Sequence, residues 1–174
     1  MNNKLLAAIA FAAHKHRDQR RKDAAASPYI NHPIALANVL ANEGGIDDER
    51  VQIAAILHDT IEDTETTEQE LVREFGQEIA GIVMEVTDDK TLPKADRKRL
   101  QVEHAATISR RAKLVKLADK ICNLRDIASS PPADWPLERR QEYFDWAKSV
   151  IDGLRGVHPA LEHIFDEAYK ARPV

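Results

Sequence analysis

Apolar residues recur at three- and four-residue spacing along almost the whole chain, and that period decides the class of fold open to it. Strand signals are poor. Aromatic residues make up only 5% of the sequence, β-branched alternation is scarce, and no hairpin is legible. The expectation is an all-α fold, a helical bundle of about nine helices in one domain spanning residues 1–174. The helices are expected near 4–20, 33–43, 48–60, 67–75, 77–86, 94–109, 111–127, 136–154 and 158–171. Several ends have a local cause. Pro33 suits a first turn, where its missing N–H costs nothing. Gly44-Gly45 stops the helix that follows, Asp47 or Asp48 can cap the next, and Thr67 with Glu70 reads as a capping box closed by Gly76. Ser129-Ser130-Pro131-Pro132 forces a break before the last pair.

Composition narrows the function classes. A net charge of −4 argues against general binding of nucleic acid, whose phosphates select a basic surplus. No run approaches the roughly 18 apolar residues of a membrane span. The opening "LLAAIAFAA" reads as an amphipathic helix running into "HKHRDQRRK" rather than as a secretory leader. The one cysteine, Cys122, lies in an apolar stretch as a buried thiol and fits a reducing, cytoplasmic setting. Whether the chain forms a homo-oligomer stays open.

Two segments look buried on most sides: "VQIAAILHD", residues 51–59, and "AKLVKLADKICNL", residues 112–124. The first ends in His58-Asp59. The second carries Asp119 beside an apolar stripe of Leu114, Leu117, Ala118 and Ile121. A carboxylate there is costly unless it is paired or bound to a metal. With His32 from "NHP", these residues make a set of two imidazoles and two carboxylates that could clamp three helices around one cation. A lone histidine is usually a surface or satisfied core residue, and a lone His-Asp pair arises by chance. The ordered set H…HD…D, placed on two buried helices, argues otherwise. Without thiolate it favours Mn²⁺, Fe²⁺ or another octahedral metal, with positions left for water and a phosphate oxygen.

Glu62 and Asp63 follow Asp59 by three and four residues, so a continuing helix would aim them near the same end, where they could handle the attacking water. Acids at a helix C-terminus oppose its dipole, and a nearby dication supplies the reason. Glu65 reads as surface. His14, Arg17 and Arg21 fall on one helix face, with Lys22 after them, and Lys90, Lys94 and Arg97 form a second basic group. Two basic clusters in a net-acidic chain suggest a multiply phosphorylated substrate.

These residues carry a resemblance. "FAAHKHRDQRRKD", "PYINHPIALA", "AAILHDTIEDT", "FGQEIAGIVMEVTDDKTLPK", "RKRLQVEHA" and "AKLVKLADKICNLRDI" are similar to the HD-domain metal phosphohydrolases, and most closely to the hydrolases of the RelA/SpoT alarmone group in their small stand-alone form. The resemblance implies an all-helical, Mn²⁺-dependent hydrolase with one ion per chain that removes the 3′-pyrophosphate of guanosine tetra- or pentaphosphate. Carried over by position, the metal ligands would be His32, His58, Asp59 and Asp119, and the water-activating acids Glu62 and Asp63. Substrate contacts would be Arg21, Lys22, Asn123 and Tyr143, and the second basic group offers Lys94 as a further one. Asn123, four residues after Asp119, shares its helix face. The rival within this chemistry is another phosphorylated substrate, the 2′-phosphate of NADPH or a simpler nucleotide. A nucleotide-binding module with a dead site is disfavoured, because ligands and acids are all intact.

Overall fold

The computed structural model describes residues 3–174. Among these residues the helices are α1 (Lys4–Lys15), α2 (Asn31–Asn38), α3 (Glu49–Leu57), α4 (Thr60–Asp63), α5 (Glu68–Phe75), α6 (Gln77–Val86), α7 (Lys94–His104), α8 (Arg110–Ser129), α9 (Leu137–Asp152) and α10 (Pro159–Tyr169). A π-helical turn, Val39–Glu43, prolongs α2. No β-strand occurs among the described residues; the nearest thing is an isolated bridge between Arg20 and Pro28.

The two segments read as buried are the centre of the bundle. On α3, Val51 and the run Ile53–Leu57 are buried; on α8, eleven side chains are. α1, α2, α6 and α8 pack around α3, while α10 and α9 cover α8. α1 contributes Ala8 and Ala12, small enough to let its axis close on α3. Cys122 is buried in this core, and burial raises its pKa.

Three boundaries differ from the sequence expectation, each for a tertiary reason. First, α1 stops at Lys15 and not near residue 20, so Arg17 and Arg21 do not share a helix face with His14. The buried ring of His16 packs 4.8 Å from that of Tyr29, and its Nδ1 pairs with Gln19 Oε1 at 2.7 Å. The chain then turns, with Arg21 N–H donating to Ser27 O (2.8 Å) and Tyr29 N–H to Gln19 O (3.1 Å). The basic stretch is thus a loop with a fixed path. Second, the helix expected over 33–43 changes pitch after Asn38. The N–H of Gly44 reaches back five residues to Val39 O at 2.8 Å, and Glu43 forks onto Arg125 of α8 with both contacts at 2.9 Å. A Cβ on Gly44 would lie 2.7 Å from Leu161 Cδ2, so a larger residue there would have to displace the Leu161 side chain of α10. Third, α3 ends at Leu57, and α4 begins as a separate turn at Thr60. The hydroxyl of Thr60 donates to the freed Leu57 carbonyl at 2.7 Å, which stabilises the break.

The capping box at α5 is half formed. Thr67 Oγ1 accepts from Glu70 N–H (3.2 Å), but the Glu70 carboxylate turns away to the ammonium of Lys15, 3.0 Å distant. Glu65 is an exposed partner of the same lysine.

Candidate metal centre

His32 lies in the first turn of α2, His58 at the end of α3, Asp59 in the break after it, and Asp119 midway along α8. The fold brings together one donor atom each from His32, His58 and Asp59, all within 4.8 Å of one another. Asp119 joins from the histidine side, its Oδ1 3.1 Å from His32 Nε2 and 3.9 Å from His58 Nε2.

The hydrogen bonding around His58 tests whether a cation fits. Its Nδ1 lies 2.7 Å from the Ala55 carbonyl, which can only accept, so Nδ1 carries a proton. Nε2 then faces inward. It sits 2.9 Å from Asp59 Oδ2, yet it has no aligned hydrogen-bond partner and is buried. A lone pair set against a carboxylate in a buried place asks for a positive charge between them. In the metal-free chain a proton answers: burial alone would lower the pKa of His58, but the Asp59 charge reverses that and lifts it to about 9. Asp59 moves the other way, with His58 outweighing burial and holding it well below the usual carboxylate range. Neighbouring oxygen or nitrogen donors on a small octahedral dication sit about 3 Å apart, and the separations of 2.9 and 3.1 Å match that spacing. The donor set and its imidazole orientation fit a divalent metal.

The break at His58-Asp59 corrects the expectation that one continuous helix aims Glu62 and Asp63 at the site. Both acids instead ride on α4, a single turn whose Asp63 N–H bonds back to Asp59 O at 2.9 Å. The two part ways from there. Asp63 faces the cavity, accepting from Gln19 Nε2 at 3.0 Å and from Lys90. Glu62 is half-buried and is not among the residues lining that cavity. Burial pushes its carboxyl up to about 7, and the charges of Asp59, Asp88 and Asp63 add to the shift.

A cavity of about 680 Å³ opens beside the cluster. Arg21, Lys22, His32, Asp63, Asn123 and Tyr143 all line it. Arg21 donates to Asp126 Oδ2 at 2.7 Å and lies over the ring of Tyr29, and Asn123 Nδ2 donates to Asp119 Oδ1 at 2.7 Å. Lys94 is not part of this wall. It opens α7, and burial, followed by the nearby charges of Arg139, Lys22 and Arg97, lowers its pKa.

Sequence reasoning passed over three contributors. The hydroxyl of Tyr29 donates to Asp59, Gln19 holds Asp63, and Lys120 donates to Asp119 Oδ2 at 3.0 Å. Tyr29 stands three residues before His32, and Lys120 directly follows Asp119. Nearness in sequence to a candidate ligand is the signal available for both.

The family profile described as HD domain matches residues 8–145. The guanosine-3′,5′-bis(diphosphate) 3′-pyrophosphohydrolase MESH1 of Xenopus tropicalis is 56% identical over 165 residues, covering 95% of this chain and 92% of that protein. The protein of the same name from Homo sapiens is 55% identical over 168 residues, 97% of this chain and 94% of that one. Among solved structures, a metazoan ortholog of SpoT that hydrolyzes ppGpp superposes with a TM-score of 0.95 at 49% identity, covering 99% of this chain and 97% of the other. Sequence, fold and the His/Asp cluster agree, and the chain belongs to the HD-domain family.

Proposed function

We propose that this chain is a metal-dependent 3′-pyrophosphohydrolase of guanosine 3′,5′-bis(diphosphate) and its pentaphosphate analogue, yielding GDP or GTP and pyrophosphate. The observation that carries the reading is the His32–His58–Asp59 cluster, with Asp119 beside it, opening on a cavity lined by Arg21 and Lys22. High identity to relatives named for this reaction supports the substrate. In this reading His32, His58, Asp59 and Asp119 hold one Mn²⁺ per chain. The all-nitrogen-and-oxygen donor set supports that choice of metal.

Bound there, such a cation supplies Lewis-acid polarisation of a phosphoryl oxygen and acidifies water. The chain's own side chains do the rest. Arg21, Lys22 and Asn123 orient the nucleotide, with Tyr143 on the wall beside them and Lys94 contributing charge from farther out. Tyr29 holds the Asp59 carboxylate in place. Glu62 and Asp63 position the attacking water and move its proton. The water oxygen bonds to phosphorus, the bond from phosphorus to the 3′ oxygen breaks, and that oxygen takes a proton. A cytoplasmic setting belongs to the same proposal and rests on the single buried thiol; no helix among the described residues is long and apolar enough to cross a membrane.

Turnover of guanosine tetraphosphate, NADPH and simple nucleotides, measured side by side with Mn²⁺, tests the reading. Guanosine tetraphosphate should give the highest kcat/KM. If it is untouched while NADPH loses its 2′-phosphate, the substrate assignment passes to the rival. Arg21→Ala should raise KM more than it lowers kcat, as expected for a contact made equally in ground and transition states. A change confined to kcat would move Arg21 to the reacting phosphate.

A further inference from the structure

Two lysines of α8, Lys116 and Lys120, are buried among the apolar residues of its inner face. Lys120 has a structural context that explains its burial. Its Nζ donates to Asp119 Oδ2 at 3.0 Å, and the same ammonium lies 4.4 Å from the centre of the Trp146 ring on α9. Trp146 is itself fixed, its indole N–H donating to the Lys98 carbonyl at 3.0 Å. The lysine is therefore held from behind by an aromatic face and in front by a carboxylate.

The two oxygens of Asp119 have different surroundings. Oδ2 takes the ammonium of Lys120. Oδ1 faces His32 Nε2 at 3.1 Å and His58 Nε2 at 3.9 Å, and also accepts from Asn123 Nδ2 at 2.7 Å. The division of labour is set by Lys120, since no other side chain is bonded to Oδ2 among the described residues.

We propose that Lys120, backed by Trp146, is a positioning residue for the metal centre: it anchors Oδ2 of Asp119 so that Oδ1 is presented to the histidines. This rests on the reading of Asp119 as a metal ligand. Two effects of the ammonium compete. A positive charge near a dication repels it, which would make removal of the lysine tighten metal binding. Anchoring acts the other way, because a carboxylate with one oxygen unpaired loses its fixed orientation. The ammonium bonds Oδ2, not the oxygen that meets the histidines; anchoring predicts weaker Mn²⁺ binding without the lysine, and repulsion predicts tighter binding.

The test is Mn²⁺ affinity by calorimetry or electron paramagnetic resonance on the full chain, without nucleotide. Lys120→Met keeps the length of the side chain and removes its charge and donor. It should weaken Mn²⁺ binding about 10- to 100-fold, the usual cost of losing a partner that orients a ligand. Lys120→Arg, which keeps both charge and donor, should recover most of the loss. Unchanged or tighter binding by Lys120→Met overturns the proposal, as does an arginine variant no better than methionine. If the methionine variant is not folded by circular dichroism, Lys120→Leu, which also lacks a donor, takes its place, and unchanged affinity there also overturns it. Asp119→Ala, measured in parallel, separates the two ideas. Wild-type Mn²⁺ affinity in that variant refutes the ligand reading, whereas loss there with retention in Lys120→Met refutes only the role of Lys120.

Discussion

Asp119→Ala should abolish both stoichiometric Mn²⁺ binding and turnover. Its Oδ1 lies 3.1 Å from His32 Nε2 and 3.9 Å from His58 Nε2, so it is the carboxylate that α8 brings to the two histidines. The variant removes one donor and also frees Asn123 and Lys120 from their shared partner. Lys120 then becomes a buried ammonium without a carboxylate, which costs about 3–5 kcal/mol of stability in comparable settings. Metal content by elemental analysis, taken together with a melting curve, separates loss of the ligand from loss of the fold. Asp119→Asn keeps the shape and should stay folded, yet bind metal weakly. A full equivalent of metal retained in the alanine variant would take Asp119 out of the ligand set.

The second large effect belongs to Glu62→Gln. This variant should keep its metal and lose about 10²- to 10⁴-fold in kcat, the usual contribution of a positioned proton-transfer group. The amide fills the same space but cannot take a proton from water. Near-normal turnover would reduce Glu62 to a buried structural acid. The same substitution has a signature in stability. The folded-state pKa of Glu62 is raised from 4.5 to about 7, so the folded chain binds this proton more tightly than the unfolded one. The contribution of Glu62 is therefore fully present below pH 4.5 and is lost as pH rises through about 7. Melting curves of the metal-free chain across that window should show this slope in the parent and its removal in Glu62→Gln.

Much of the candidate site was legible because side-chain type and local spacing carry so much of it. A carboxylate on an apolar helix and a His-Asp pair ending another are anomalies visible without coordinates. Asn123 comes from the family resemblance, with helical spacing in support, and the structure puts its amide on Asp119. The errors arose where spacing was extended past a boundary that distant residues enforce. The run through His14, Arg17 and Arg21 fits a helix face until His16 finds Tyr29. Glu62 and Asp63 fit a continuing α3 until Thr60 caps Leu57, and the two acids then face different surroundings. Lys94 shares the sign of charge the cavity needs but lies off its wall.

The sequence by itself determined the all-α class, the positions of most helices and the inventory of histidines and acids available for a metal site. Periodicity and ionisable chemistry are properties of residues and near neighbours. Only the tertiary structure decided which of those groups meet. His32 and Asp119 stand 87 positions apart and become partners through the packing of α2 on α8. Lys120 finds the ring of Trp146 only because α9 lies across α8. Contacts of that kind depend on how far apart helices pack and how each is rotated about its axis, and no local pattern encodes either.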